Sequence, residues 1–292
     1  MAAMLEFDDL KFYKNSLECV CLLVTDKEVG GPFYSSLLND IAKKTEFEFS
    51  KQIDLRIYIN KNPEKIPASD LNLLESLFKT AKVVNLNLSE NEDIYVSPPP
   101  NIDPTLPLSL SPTLPPLGFK SGPNLMFFKS IKDCKAYNTV FLLESDCLLN
   151  NNWLSRIKNF VDHANGFWIS GATYDGLIFS TDGPMNTHIN GGTGLYATGD
   201  PNFIKFLDYF YQYLISKIQE IPDLAYDYGL KMLIDEVMSS NDQMLIGKFI
   251  NRYYLKNNLI FNLSLQWDKV DLEKFERIYN YAVVHTKHRA QI

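Results

Sequence analysis

The stretch Asn138-Thr139-Val140-Phe141-Leu142-Leu143-Glu144-Ser145-Asp146 decides how the rest of the chain is read. Val140 to Leu143 leave neither side of an extended backbone polar, so residues 138–145 read as a short strand buried on both faces. Such strands belong to parallel sheets covered by helices, and the ligands of those sheets bind beyond the carboxyl ends of the strands. Glu144 and Asp146 stand at that end. Their spacing puts both carboxylates on the same side of the chain. Adjacent acids repel and raise one another's pKa unless a cation or donor compensates, and hard oxygen ligands beside a phosphate suit Mg²⁺ or Mn²⁺. The plainer reading has Glu144 capping the turn and Asp146 starting the next helix.

Upstream, ECVCLLVT (18–25) is another apolar run of strand length. It is followed by the turn-rich DKEVGGP and by FYSSLLNDIAKK, whose apolar positions recur at helical spacing. DLRIYIN (54–60) reads as a second strand, SDLNLLESLFKTA (69–81) as a helix with Ser69 as N-cap, and VVNLNL (83–88) as a third strand. Alternation of this kind means β-α-β units, so the expected fold class is α/β, a mainly parallel central sheet flanked by helices. Residues 98–116 hold eight of the fifteen prolines. That density excludes helix and central strand and leaves either a linker or an extended belt near a ligand cleft, over 97–117.

Downstream, GPNLMFFKSIKDC reads as a helix with Pro123 in its first turn, and NNWLSRIKNFVDHA as the helix after the acidic pair. GFWISGAT and LIFST supply strands, HINGGTGLYATGD (188–200) is a glycine-rich segment between turn residues, and the chain is helical from 201 to near 250, with breaks at Pro222 and Ser239-Ser240. YAVVHTKHR (281–289) returns to a short strand. No internal repeat is present.

Several residues carry possible chemistry. Asn190-Gly191-Gly192-Thr193-Gly194 lets a backbone approach a ligand closely, or makes a hairpin turn. Lys120 to Asn124 precede a helix whose N-terminus, with the lysine, can take an anion; a linker end reads equally well. Thr25 and Asp26 end the first strand, and Asn60 and Lys61 the second, which puts them where the ligands of such a sheet bind. Asn241-Asp242-Gln243, before Met244-Leu245-Ile246, reads by itself as a helix cap. Trp153, Trp168, Tyr174 and Trp267 are the aromatics that could stack on a sugar if they are not core.

In their order along the chain, Glu144-Ser145-Asp146, the 190–194 glycines, Asn241-Asp242-Gln243 and His285 resemble the GT-A glycosyltransferases, whose acidic D-x-D motif holds the metal that grips a donor diphosphate. The match departs at its first position, Glu for Asp. The resemblance implies one GT-A-like domain over 1–292, with 16–147 as nucleotide-sugar half, 148–292 as acceptor half, and a smaller antiparallel element on the acceptor side. It also implies Mn²⁺ or Mg²⁺ held by Asp146 and His285, with His288 as the alternative histidine. Thr25, Asp26, Asn60, Lys120, Asn124, Glu144 and Ser145 would meet the donor, and Asn190, Gly191, Gly192 and Thr193 the acceptor. Asp242 would be the general base of an inverting transfer from a nucleotide sugar, UDP favoured, to a glycan hydroxyl.

A net charge of -7 argues against the broad basic footprint that nucleic acid needs. The four cysteines do not form a disulfide framework, the start has no apolar leader and no stretch is long enough to span a bilayer. A soluble, cytoplasmic, stemless protein is therefore expected, like the glycosyltransferases of bacteria or large DNA viruses. Two sequons, at Asn87 and Asn262, would go unused there. The rival readings are a sugar-1-phosphate nucleotidyltransferase, which would want a glycine- and base-rich loop where VTDKEVGGPF stands, and a non-catalytic glycan-binding scaffold on a degenerate transferase fold.

Overall fold

The apolar run at 17–24 is strand β1 (Leu17–Val24), and its alternation divides the core in two. Cys19 and Cys21 face one layer, while Val20, Leu22 and Val24 face the other, as a period of two dictates. The computed structural model describes residues 13–96, 117–175, 188–239, 254–263 and 280–286. The proline-rich segment up to 116, LIFST, Asn241-Asp242-Gln243, Trp267 and His288 lie outside them, as does the side chain of Tyr174.

After β1 come α1 (Pro32–Lys44), α2 (Phe47–Ser50), β2 (Asp54–Ile59), α3 (Ala68–Leu77), β3 (Thr80–Asn85), α4 (Ser121–Asp133) and β4 (Thr139–Glu144). Then follow β5 (Cys147–Leu149), α5 (Trp153–His163), β6 (Ile169–Asp175), β7 (Ile189–Tyr196), α6 (Pro201–Ile218), α7 (Tyr226–Ser239), β8 (Tyr254–Lys256), β9 (Ile260–Leu263) and β10 (Val283–Thr286). The strands order as β3-β2-β1-β4-β7-β6-β9-β10-β5, with β8 also paired to β6. β3, β2, β1 and β4 are parallel; β7 runs antiparallel to both β4 and β6. The smaller element is built on β10, antiparallel to β5 and parallel to β9. Side chains of α4, α6 and α7 fill one face of the sheet, and those of α1, α3 and α5 the other. The architecture is α/β with a mostly parallel central sheet, GT-A-like as expected.

Two boundaries move. Pro67, not Ser69, stands at the N-cap of α3, and Ser69 lies inside the first turn with its hydroxyl toward Asp70. The helix stops at Leu77 because Phe78 is extended and fully buried, and the Lys79 N–H is accepted by the carbonyls of Ser50 and Ile53. Thr80, bonded to Asp54 at 2.9 Å, therefore already belongs to β3. The larger correction concerns 190–194, which are neither loop nor turn. They lie within β7, a strand buried at all eight positions.

All four cysteines are free and buried. Trp153 and Trp168 are core, the latter donating to Asp200, so neither offers a face to a sugar. Among the described residues no helix is long and apolar enough to cross a membrane.

Candidate metal centre

Strand register assembles the site. β4 ends at Glu144, beside Leu23 of β1, and the turn Ser145-Asp146 reverses the chain into β5. β5 pairs with β10 so that Cys147 stands opposite His285, which places the imidazole next to Asp146 although 139 positions separate 146 from 285. β10 is held from outside the sheet. Asn150 donates its amide to the Tyr281 carbonyl at 2.9 Å and its N–H to Ala282 at 3.0 Å, and Arg156 donates to the carbonyls of Tyr281 (2.8 Å) and Asn280.

Nε2 of His285 lies 3.1 Å from Glu144 Oε2 and 3.3 Å from Asp146 Oδ1. One ligand atom from each of the three falls within 4.8 Å of the others, a spacing able to hold a metal ion. The histidine side chain is 2% exposed, against 37% for Glu144 and 22% for Asp146, so the cluster is closed beneath and open on the carboxylate side. Burial alone would lower the His285 pKa, but the facing Asp146 and Glu144 carboxylates hold it up at about 10. The ring's other nitrogen, Nδ1, lies 2.8 Å from the Asn190 amide, which also donates to Asn262 and accepts from the Gly192 N–H. Asn262 completes the chain by donating to the Ala172 carbonyl.

The glycines serve this cluster. A Cβ on Gly192 would stand 2.1–2.3 Å from the carboxyl atoms of Glu144, and one on Gly191 would meet the Tyr226 ring at 2.3 Å. The sheet thus leaves a hollow that the Glu144 carboxylate fills. An oxygen, oxygen and nitrogen donor set with its first carboxylate cradled in this way fits Mn²⁺ or Mg²⁺.

Other sequence candidates have different tasks. Asn124 is fully buried; its amide donates to the Leu117 and Leu224 carbonyls and accepts from Tyr226 N–H, tying α4 to α7 rather than facing a cofactor. The N-terminus of α4 is not open to an anion either. Ser121 N–H bonds Gly118, Gly122 N–H bonds Ile94, Pro123 has none, and Lys120 pairs with Asp223 over the Tyr95 ring. Thr193 is buried with its hydroxyl 3.3 Å from the Cys147 thiol, so it presents nothing to an acceptor, and Asn190 is engaged with His285.

Asp26 and Asn60 do meet, at the carboxyl ends of β1 and β2. Asp26 accepts from Lys65 (2.7 Å), Asn62 (2.8 Å) and Asn60 (3.4 Å), and Asn60 also donates to Asp93, the partner of Lys61. Burial would raise the Asp26 pKa, yet these donors hold it below the usual carboxylate value. Sequence reading missed Asn62, Lys65, Asp93, Asn262 and Glu28, whose carboxylate receives the Ser145 hydroxyl and the Thr25 N–H. Only Asn262 carried a signal, as a sequon, and a fully buried amide bonded at both ends is no glycosylation acceptor in the folded chain.

No family model matches the sequence, and no curated protein matches it. Among solved structures, the fold is similar to that of mouse xyloside xylosyltransferase 1 in its apo form, with 13% identity over 94% of this chain and 99% of that one and a TM-score of 0.51. It is also similar to apo GlyE, a glycosyltransferase of Streptococcus pneumoniae TIGR4, with 10% identity over 94% of this chain and 55% of that one and a TM-score of 0.52. The chain therefore spans about half the length of GlyE. At such identities the likeness is one of fold.

Proposed function

We propose that the chain is a divalent-metal-dependent glycosyltransferase that moves a sugar from a nucleoside diphosphate donor, UDP-sugar favoured, to a glycan hydroxyl. The observation that carries this reading is the convergence of Glu144, Asp146 and His285 at the ligand-binding edge of a GT-A-like sheet. Glu144 belongs with the ligands, because its Oε2 is as near the imidazole as Asp146 is.

These three residues would hold Mn²⁺ or Mg²⁺, which when bound supplies a Lewis acid to the leaving diphosphate. The open carboxylate side leaves room for phosphate oxygens, while the buried imidazole fixes the geometry from below. The loop after β1, from Thr25, would border the nucleotide, making 16–147 the donor half and 148–292 the acceptor half of one domain. Asp242 would take the acceptor proton, an effect worth about 10²–10⁴ in rate, with inversion at the anomeric carbon.

A hydrolysis screen of UDP-, GDP- and dTDP-sugars, with Mn²⁺ and with EDTA, tests the reading, followed by acceptor trials with whichever donor is cleaved. Metal-dependent cleavage of a UDP-sugar is expected. A chain that cleaves no donor and shows no Mn²⁺-dependent nucleotide binding in calorimetry is a scaffold instead.

A further inference from the structure

The turn between β1 and α1 has a task that the metal reading leaves unexplained. Glu28 sits in it, and its two carboxylate oxygens are divided between two strand ends: Oε2 accepts the Thr25 N–H and Oε1 accepts the Ser145 hydroxyl, each at 2.6 Å. Ser145 is the middle residue of the acidic triplet and is 2% exposed. The carboxylate therefore bridges the end of β1 to the turn from which Glu144 and Asp146 diverge.

The turn holds Glu28 rigidly. Its N–H bonds the Thr25 carbonyl at 3.0 Å and its own carbonyl accepts from Gly31 N–H at 2.8 Å. Gly30 takes a left-handed φ of 75°, and a Cβ on Gly31 would stand 2.9 Å from the Glu28 carbonyl oxygen. Both glycines are what this geometry requires. A side chain so anchored transmits position, because ligands of a metal are held in place by the hydrogen bonds behind them.

We propose that Glu28 is a positioning residue for the acidic triplet: through Ser145 it fixes the backbone that presents Glu144 and Asp146 together. The role rests on the metal-site reading above. What matters is the pair of hydrogen bonds, not the charge. A glutamine carbonyl can accept from Thr25 N–H while its amide donates to Ser145 Oγ, since a hydroxyl accepts as readily as it donates. Alanine can do neither.

The test is Mn²⁺ binding by the full chain, followed by electron paramagnetic resonance of the free ion, for wild type, Glu28→Ala, Ser145→Ala, the double variant and Glu28→Gln. Thermal midpoints report folding. Glu28→Ala and Ser145→Ala should each weaken binding about tenfold, and the double variant no further, because both remove one link. Glu28→Gln should bind within about twofold of wild type. In turnover assays the metal concentration for half-activation should rise in Glu28→Ala and stay near the wild-type value in Glu28→Gln. If Glu28→Ala does not fold, Ser145→Ala against Glu28→Gln carries the same comparison. Wild-type affinity in Ser145→Ala, or equal losses in Glu28→Ala and Glu28→Gln, overturns the positioning role alone. A wild-type chain that binds no Mn²⁺ overturns the metal reading and this role with it.

Discussion

Two polar clusters sit at the carboxyl ends of neighbouring strands, and they are built on opposite principles. Around Asp26 each acid has its own lysine, Asp26 with Lys65 and Asp93 with Lys61, and Asn60 joins the two pairs. Around Asp146 two carboxylates converge on one imidazole, with a glycine hollow that admits the carboxylate of Glu144. The first cluster is closed with the protein's own charges and serves to fix the loops after β1 and β2. The second concentrates acid on one ligand-capable nitrogen, an arrangement whose natural complement is a divalent cation.

The contrast breaks most visibly at Asp146. Asp146→Asn should lower metal-dependent turnover by about 10²–10³, measured as kcat/KM at fixed Mn²⁺, since several kcal/mol of Lewis-acid stabilisation depend on the ion. Proton competition is the next largest effect. His285 is protonated below about pH 10, so Mn²⁺ affinity should climb with pH, by up to about tenfold per unit where one proton is displaced. Calorimetry in two buffers of different ionisation enthalpy reads that proton directly. The linkage has the opposite sign for the metal-free fold. Its His285 pKa is raised above the ordinary 6.5, so the ion pair's contribution is complete below pH 6.5 and is lost as the pH rises through about 10. The apo melting midpoint should therefore fall over that window, and the Mn²⁺-loaded midpoint should not.

Gly192→Ala sharpens the comparison from the backbone side. Its Cβ would displace the Glu144 carboxylate, which should weaken Mn²⁺ about tenfold and cost about 1–3 kcal/mol in urea unfolding. The smallest effect belongs to the closed cluster. Asp26→Asn should cost about 1–2 kcal/mol of stability, limited by the exposure of Lys65, and leave Mn²⁺ affinity as it is. An equal loss of metal in both clusters would erase the distinction.

The sheet's centre was legible because Val140 to Leu143 are apolar on both faces, as a strand covered by helices on both sides requires. Glu144 and Asp146 were legible from their place at and just beyond the end of an apolar strand, and His285 through the resemblance to the GT-A enzymes. The 190–194 segment was not, since glycine and asparagine locally mean a turn. Their reason lies across the sheet, in the Glu144 carboxylate and the Tyr226 ring that take the missing Cβ volumes. Asn124 misled for a similar reason: beside Lys120 and a helix start it reads as an anion contact, and only the fold shows its amide joining Leu117 to Leu224. Glu28 gave no signal because a charged turn residue is ordinary, and its partner Ser145 lies 117 positions away.

Anomalous diffraction at the manganese edge, from a crystal of the chain grown with Mn²⁺, locates the ion itself. One peak is expected, at bonding distance from Glu144, Asp146 and Nε2 of His285. A peak elsewhere, or none while Nε2 stays hydrogen-bonded to both carboxylates, would contradict the metal reading.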